Sequence, residues 1–207
     1  MKISLENIGK RYRNHWIFRG ISASFETGKR YALLGSNGSG KSTLLRIVAG
    51  MQQPSKGNLY YQDSSSTVIK PEKLYQLVAY CAPGMDLVEE FTLEEFLRFH
   101  FSFKKIRPGV DVPQILNLMG LQQARDKMLH ECSSGMKQRV KLAQAFFADT
   151  PVLLLDEPCS NLDAAGVEMY AAWLESYSNN RIVAIASNDE REYPYAHQML
   201  YVPDYGA

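Results

Sequence analysis

Three short runs of apolar residues show no polar alternation: Tyr31 to Leu34, Val152 to Leu155 and Ile182 to Ala186. Strands buried on both faces read this way, so the runs predict a parallel sheet covered by helices on each side. The first 27 residues follow a different pattern. Ile3, Leu5 and Ile8, then Ile17, Phe18, Ile21, Ala23 and Phe25, are interrupted by charged turns, which predicts short, partly antiparallel strands at one edge. From about Pro83 to Leu129 the spacing becomes helical. Thr92 and Glu95 stand at capping-box separation, and Phe91, Phe96, Phe99 and Phe103 fall roughly on one face. Pro108 and Pro113 bracket a break, after which Ile115, Leu116, Met119 and Leu121 recur at near-helical intervals. This is an α/β chain read as one domain over 1–207, with a core of about 1–82 and 140–207 and an inserted helical subdomain of about 83–139.

Composition narrows the class. The 207 residues are 45% hydrophobic and 22% charged, which suits a packed core and argues against disorder. A net charge of +1 gives no reason to expect nucleic acid or anionic lipid as a partner. No apolar run approaches the roughly 18 residues of a membrane span, and Met1 to Glu6 lacks the apolar stretch of a signal peptide. Cys81, Cys132 and Cys159 form no C-x-x-C pair, so a zinc site or disulfide framework is not expected and a reducing cytosol is. The segment Tyr201 to Ala207 lies just past the core, so no appended regulatory domain is expected.

The chemistry is concentrated in two places. Gly35-Ser36-Asn37-Gly38-Ser39-Gly40-Lys41-Ser42 fits G-x-x-x-x-G-K-[ST], follows a predicted strand and opens a predicted helix from Thr43 to Ala49, ended by Gly50. Glycines let backbone N–H groups turn toward phosphate oxygens, and a helix N-terminus adds a favourable dipole. Lys41 is expected to reach the β- and γ-phosphates of a nucleotide, and Ser42 to hold Mg²⁺. The second place is the run Val152 to Leu155, which ends in Asp156 and Glu157. Parallel sheets place ligands at the carboxyl ends of their strands. Asp156 is therefore expected to complete the Mg²⁺ shell through a water, and Glu157 to polarise the water that attacks the γ-phosphate.

Together with Cys132-Ser133-Ser134-Gly135-Met136-Lys137-Gln138-Arg139, these residues resemble the ATP-binding cassette ATPases, whose signature is usually written L-S-G-G-Q. The likeness covers nearly the whole chain. Ser133 and Gly135 match the signature, while Cys132, Ser134 and Met136 depart from it. Ser133 also reads as the N-terminus of a helix burying Met136, Val140, Ala143 and Phe147, and such an end is an anion site.

The resemblance implies a P-loop NTPase core. It implies that Ser133 and Gly135 serve a phosphate held by a second subunit in an ATP-dependent homodimer. Tyr12 falls where the family stacks an aromatic ring on adenine, and Thr43 completes the phosphate contacts. Asp163, in Ser160-Asn161-Leu162-Asp163, falls in the loop that signals across the dimer. Two positions depart. Asn188 stands where the family carries its switch histidine at the γ-phosphate, and Pro83 stands where it carries a glutamine near Mg²⁺. The implied activity is ATP hydrolysis by a cytoplasmic subunit, peripheral on the inner face of the membrane. It would drive a separate permease docked around Gly84 to Phe91, with Met85, Leu87 and Val88. The alternative is a soluble single-cassette ATPase of an assembly complex, for example in iron–sulfur assembly.

Overall fold

The computed structural model describes residues 1–206. Its first sheet is antiparallel, with the order β2 (His15–Glu26), β1 (Lys2–Tyr12), β4 (Lys56–Gln62). The second has the order β5 (Val78–Cys81), β6 (Val152–Asp156), β7 (Ile182–Ala186), β3 (Arg30–Leu34), β8 (Gln198–Tyr201), and every pairing in it is parallel. The N-terminal strands are thus longer than their pattern suggests. They form a sheet of their own with β4 rather than short pieces at the edge of the parallel sheet. Shifts in register interrupt the β1–β2 ladder between Leu5 and Arg11, where the apolar alternation breaks.

The side-chain alternation of the parallel strands divides the core. Tyr31, Leu33, Val152, Leu154, Ile182 and Ala184 face a cluster that includes Leu44, Leu45, Ile47 and Val48 of α1 (Lys41–Val48) and the apolar face of the antiparallel sheet. Ala32, Leu153, Leu155, Val183 and Ile185 face the opposite cluster. That second cluster is built on α3 (Leu93–Phe103), α4 (Val112–Leu118), α5 (Ser134–Phe146) and α6 (Ala164–Tyr177). The short α2 (Leu74–Leu77) leads directly into β5.

Between residues 83 and 133 the described chain contains helices and turns but no strand. Thr92 caps α3 in a capping box with Glu95, and Asp111 caps α4 in another with Gln114. Pro113 therefore sits in the first turn of α4, where its missing N–H is harmless. The limit drawn at 139/140 falls inside α5, which runs unbroken across it.

The phenylalanines of α3 do not share one buried face. Phe96 is packed in the core, whereas Phe99 is 44% and Phe103 71% exposed. Leu93, Phe96 and Leu97 set the buried stripe, and Phe99 lies to one side of it. Phe103 ends the helix, beyond cover. Phe91, Phe99 and Phe103 instead stack edge to face on the surface, with centroids 5.2 and 5.1 Å apart.

Candidate nucleotide site

The carboxyl ends of β3, β6 and β7, neighbours in the parallel sheet, carry Gly35, Asp156 with Glu157, and Ser187 with Asn188. The loop 35–40 takes a path that few side chains allow: Gly35, Gly38 and Gly40 have φ of 140°, 81° and 102°. A Cβ on Gly40 would lie 2.5 Å from Ile17, whereas one on Gly38 would meet nothing within 4 Å. One glycine thus lets the loop pack closely on β2, and the other leaves the cradle open.

Inside the loop, Lys41 is buried and its ammonium donates to the carbonyls of Gly35 at 2.6 Å and Ser36 at 3.2 Å. Burial lowers its pKa, while the charges of Glu157 and Asp156 oppose the shift. Ser39 Oγ is buried without a partner. A cation resting on neutral carbonyls, an orphaned hydroxyl and an open glycine cradle at the start of α1 fit the terminal phosphates of a nucleotide.

Ser42 opens α1 and donates its hydroxyl to Asp156 Oδ1 at 2.9 Å, across 114 residues of sequence. Asp156 is buried, which raises its pKa, and the Ser42 hydrogen bond pulls the other way. A hydroxyl and a carboxylate are oxygen donors of the kind Mg²⁺ takes, with waters and phosphate oxygens completing its shell. Glu157 follows at φ 42°, a left-handed conformation unusual for a non-glycine residue, with its N–H bonded to Ala186 O at 2.9 Å. Such strain persists where surrounding structure holds it and is common at functional sites.

Two cavities share Glu157 in their linings. One of about 460 Å³ is lined by Ser42, Arg46, Tyr80, Pro83, Asp156 and Glu157, among others. Pro83 therefore lines the same cavity as the serine and both acids. Its carbonyl accepts from Lys141 Nζ at 2.5 Å, so the wall is held by α5. The other cavity, about 680 Å³, brings Asn37, Glu157, Ser160, Asp163 and Asn188 together. Asn188 Nδ2 donates to Asn37 Oδ1 at 3.0 Å, across 151 residues. Asn188 does not cap the turn that follows: Ser187 Oγ accepts from Asp189 N at 2.9 Å, and Asp189 accepts from Arg191 N at 3.0 Å.

Tyr12 ends β1 and is 46% exposed. Its hydroxyl accepts from Gln52 Nε2 at 2.5 Å, a bond that lowers its pKa, and Lys10 Nζ lies 5.3 Å from its ring centroid. Ser133 caps α5, accepting from Met136 N at 3.2 Å. Gly135 sits under the next loop, because a Cβ there would lie 2.9 Å from Asn161 O. Asp163 caps α6 by accepting from Gly166 N at 2.9 Å and also pairs with Arg139 at 2.7 Å. Ser133, Gly135 and Tyr12 lie outside the linings of both cavities.

Sequence reasoning passed over several of these partners. Gln138 is buried and donates to Pro158 O at 2.8 Å, tying α5 to the turn after Glu157. Arg139 anchors Asp163. Both stand in the motif that carries the family resemblance, but nothing in that motif signals these two contacts. Arg46 was findable, since it stands four residues after Ser42 and so on the same face of α1.

Comparison with known proteins bears on the family and the fold. The family model described as "ABC transporter" matches residues 18–160. The Fe(3+) ions import ATP-binding protein of Fusobacterium nucleatum is 32% identical over 196 residues, which is 93% of this chain and 52% of that protein. The sulfate/thiosulfate import ATP-binding protein 2 of Agrobacterium fabrum is 36% identical over 179 residues, 84% of this chain and 52% of its own. The chain thus spans about half the length of these curated relatives. Among solved structures, a putative ABC transporter ATP-binding protein from Pyrococcus furiosus superposes with a TM-score of 0.82 over 100% of both chains at 21% identity. A bacterial ABC transporter cassette solved as a dimer gives 0.81 over 96% of this chain and 93% of its own, at 20% identity. With the phosphate loop, the acidic strand end and the family match lying on one framework, the chain belongs to the ABC transporter ATP-binding family.

Proposed function

We propose that this chain is the ATP-binding and ATP-hydrolysing subunit of a transporter, working on a separate membrane permease. The observation that carries the reading is the 2.9 Å bond from Ser42 to Asp156, which joins the phosphate loop to the acidic strand end. Lys41 leaves its loop carbonyls for the terminal phosphates, a better acceptor than neutral oxygens. Ser42 and Asp156 hold Mg²⁺, whose positive charge would offset that gathering on the phosphate oxygens. Glu157 accepts a hydrogen bond from the attacking water and orients it in line. Asn188 exchanges Asn37 for a γ-phosphate oxygen. Tyr12 offers its exposed ring to adenine, and Gly35 to Thr43 line the phosphates.

A second copy completes the site. Its Ser133 and Gly135 present a helix N-terminus to the γ-phosphate, and Asp163 sits at the junction between copies. The segment Gly84 to Phe91 is the dock for the permease, which places the subunit on the inner face of the membrane. Among the described residues no helix is long and apolar enough to cross a membrane. The import ATP-binding names of the relatives favour transport over an assembly ATPase. Release of phosphate from ATP by the purified chain, dependent on Mg²⁺ and reduced by Lys41→Ala, is the test. No hydrolysis by the wild type, alone or with a co-purified membrane partner, would overturn the proposal.

A further inference from the structure

The cavity of about 460 Å³ has a wall that the acids and the phosphate loop do not explain. On the side of β5 that wall is made by Tyr80, Ala82, Pro83, Gly84 and Met85. Four of these five have no side-chain hydrogen-bond donor. The same cavity is lined by Ser42, Asp156 and Glu157, the groups assigned above to metal and water. Tyr80 is the exception on the bare wall.

Its placement follows from the sheet. Tyr80 pairs with Leu154 in the parallel register of β5 and β6, and Asp156 lies two residues beyond Leu154. Side chains two apart on a strand share a face, so the Tyr80 ring and the Asp156 carboxylate rise on the same side. That is the side covered by α1, where Ser42 and Arg46 stand four residues apart and both line the cavity. The ring packs against the cluster that contains Leu44 and Val48, and the side chain also lines the cavity, with Arg46 as a hydrogen-bonding neighbour and the Asp156 charge close by.

We infer that Tyr80 is a positioning residue for the terminal phosphate: its hydroxyl donates a hydrogen bond to a γ-phosphate oxygen from the wall where Pro83 offers none. The inference rests on the ATP-binding reading above and adds to it a contact specific for the third phosphate. Arg46, which hydrogen-bonds Tyr80 and lines the same cavity, is an exposed cation.

Tyr80→Phe removes the oxygen and keeps the ring that packs on α1. The experiment is isothermal titration of wild type and Tyr80→Phe with ATP and separately with ADP, both with Mg²⁺, in the background of Glu157→Gln to stop turnover. A hydrogen bond to a charged acceptor corresponds to a loss of about tenfold or more in affinity. The expected result is that loss for ATP, with ADP affinity changed less than about twofold and the melting temperature preserved. Equal weakening of ATP and ADP, or no change for either, overturns the role of Tyr80 while leaving ATP binding intact. Failure of the unsubstituted Tyr80 protein to bind either nucleotide overturns the ATP-binding reading itself, and this inference with it.

Discussion

Replacing Asn188 by alanine separates a catalytic contact from a structural one. In the structure Asn188 Nδ2 donates to Asn37 Oδ1 at 3.0 Å, an exposed bond between neutral amides. The net worth of such a bond is about 0.5 kcal/mol, near the lower end of the usual range, because water replaces either partner cheaply. For a chain of this size, that corresponds to a melting temperature lower by about 1–2 °C. Donated instead to a phosphate oxygen, the same amide is worth about 1.5–3 kcal/mol. If the bond is stronger in the transition state than in the ground state, Asn188→Ala slows hydrolysis about tenfold or more. Steady-state phosphate release at saturating MgATP reads the rate, and differential scanning fluorimetry reads the stability. Asn188→His should keep or raise the rate, since imidazole also donates to phosphate and adds charge. An Asn188→Ala protein that turns over like wild type, with a melting temperature several degrees lower, would refute the reasoning and make Asn188 structural.

Further outcomes follow from other groups. Lys41→Ala should abolish tight ATP binding by isothermal titration, because within the loop no other cation reaches the terminal phosphates; unchanged affinity would contradict this. His100 is pushed down to about 4, chiefly by burial, and its Nε2 has no partner. The folded state therefore resists protonation that the unfolded state accepts below about 6.5. Stability attributable to His100 is full above that value and falls as pH drops toward 4, by roughly 3 kcal/mol. His100→Leu should flatten urea-unfolding stability across that window; an unchanged pH slope would count against the assignment.

How much of this was legible in the chain depended on where each signal lay. The loop from Gly35 to Ser42 is read from consecutive residues, and its flanking strand and helix are both strongly patterned. β6 and β7 were legible because all ten of their residues are buried and nine of them are apolar, which leaves runs without polar alternation. β8 was not: as an edge strand it exposes Gln198, Met199 and Tyr201, so no run forms. β5 has only four residues, too few to show a period. The misjudged face of α3 came from spacing alone, which does not tell which phenylalanine has a neighbour to cover it. The pairings Asn37–Asn188, Arg139–Asp163 and Gln138–Pro158 join distant segments through single polar contacts, and no local pattern announces them.

In the proposed function two copies of this chain close on ATP, with the phosphate loop of one facing Ser133 and Gly135 of the other. Glu157→Gln keeps the shape of the side chain but removes the carboxylate we propose activates water, so ATP should stay bound and hold the copies together. The direct measurement is size-exclusion chromatography with light scattering on Glu157→Gln, run with MgATP, with MgADP and without nucleotide. Twice the mass of the single chain is expected with MgATP alone, and the single-chain mass in the other two runs. The single-chain mass in all three, with hydrolysis persisting in the variant, would contradict both the composite site and the role of Glu157.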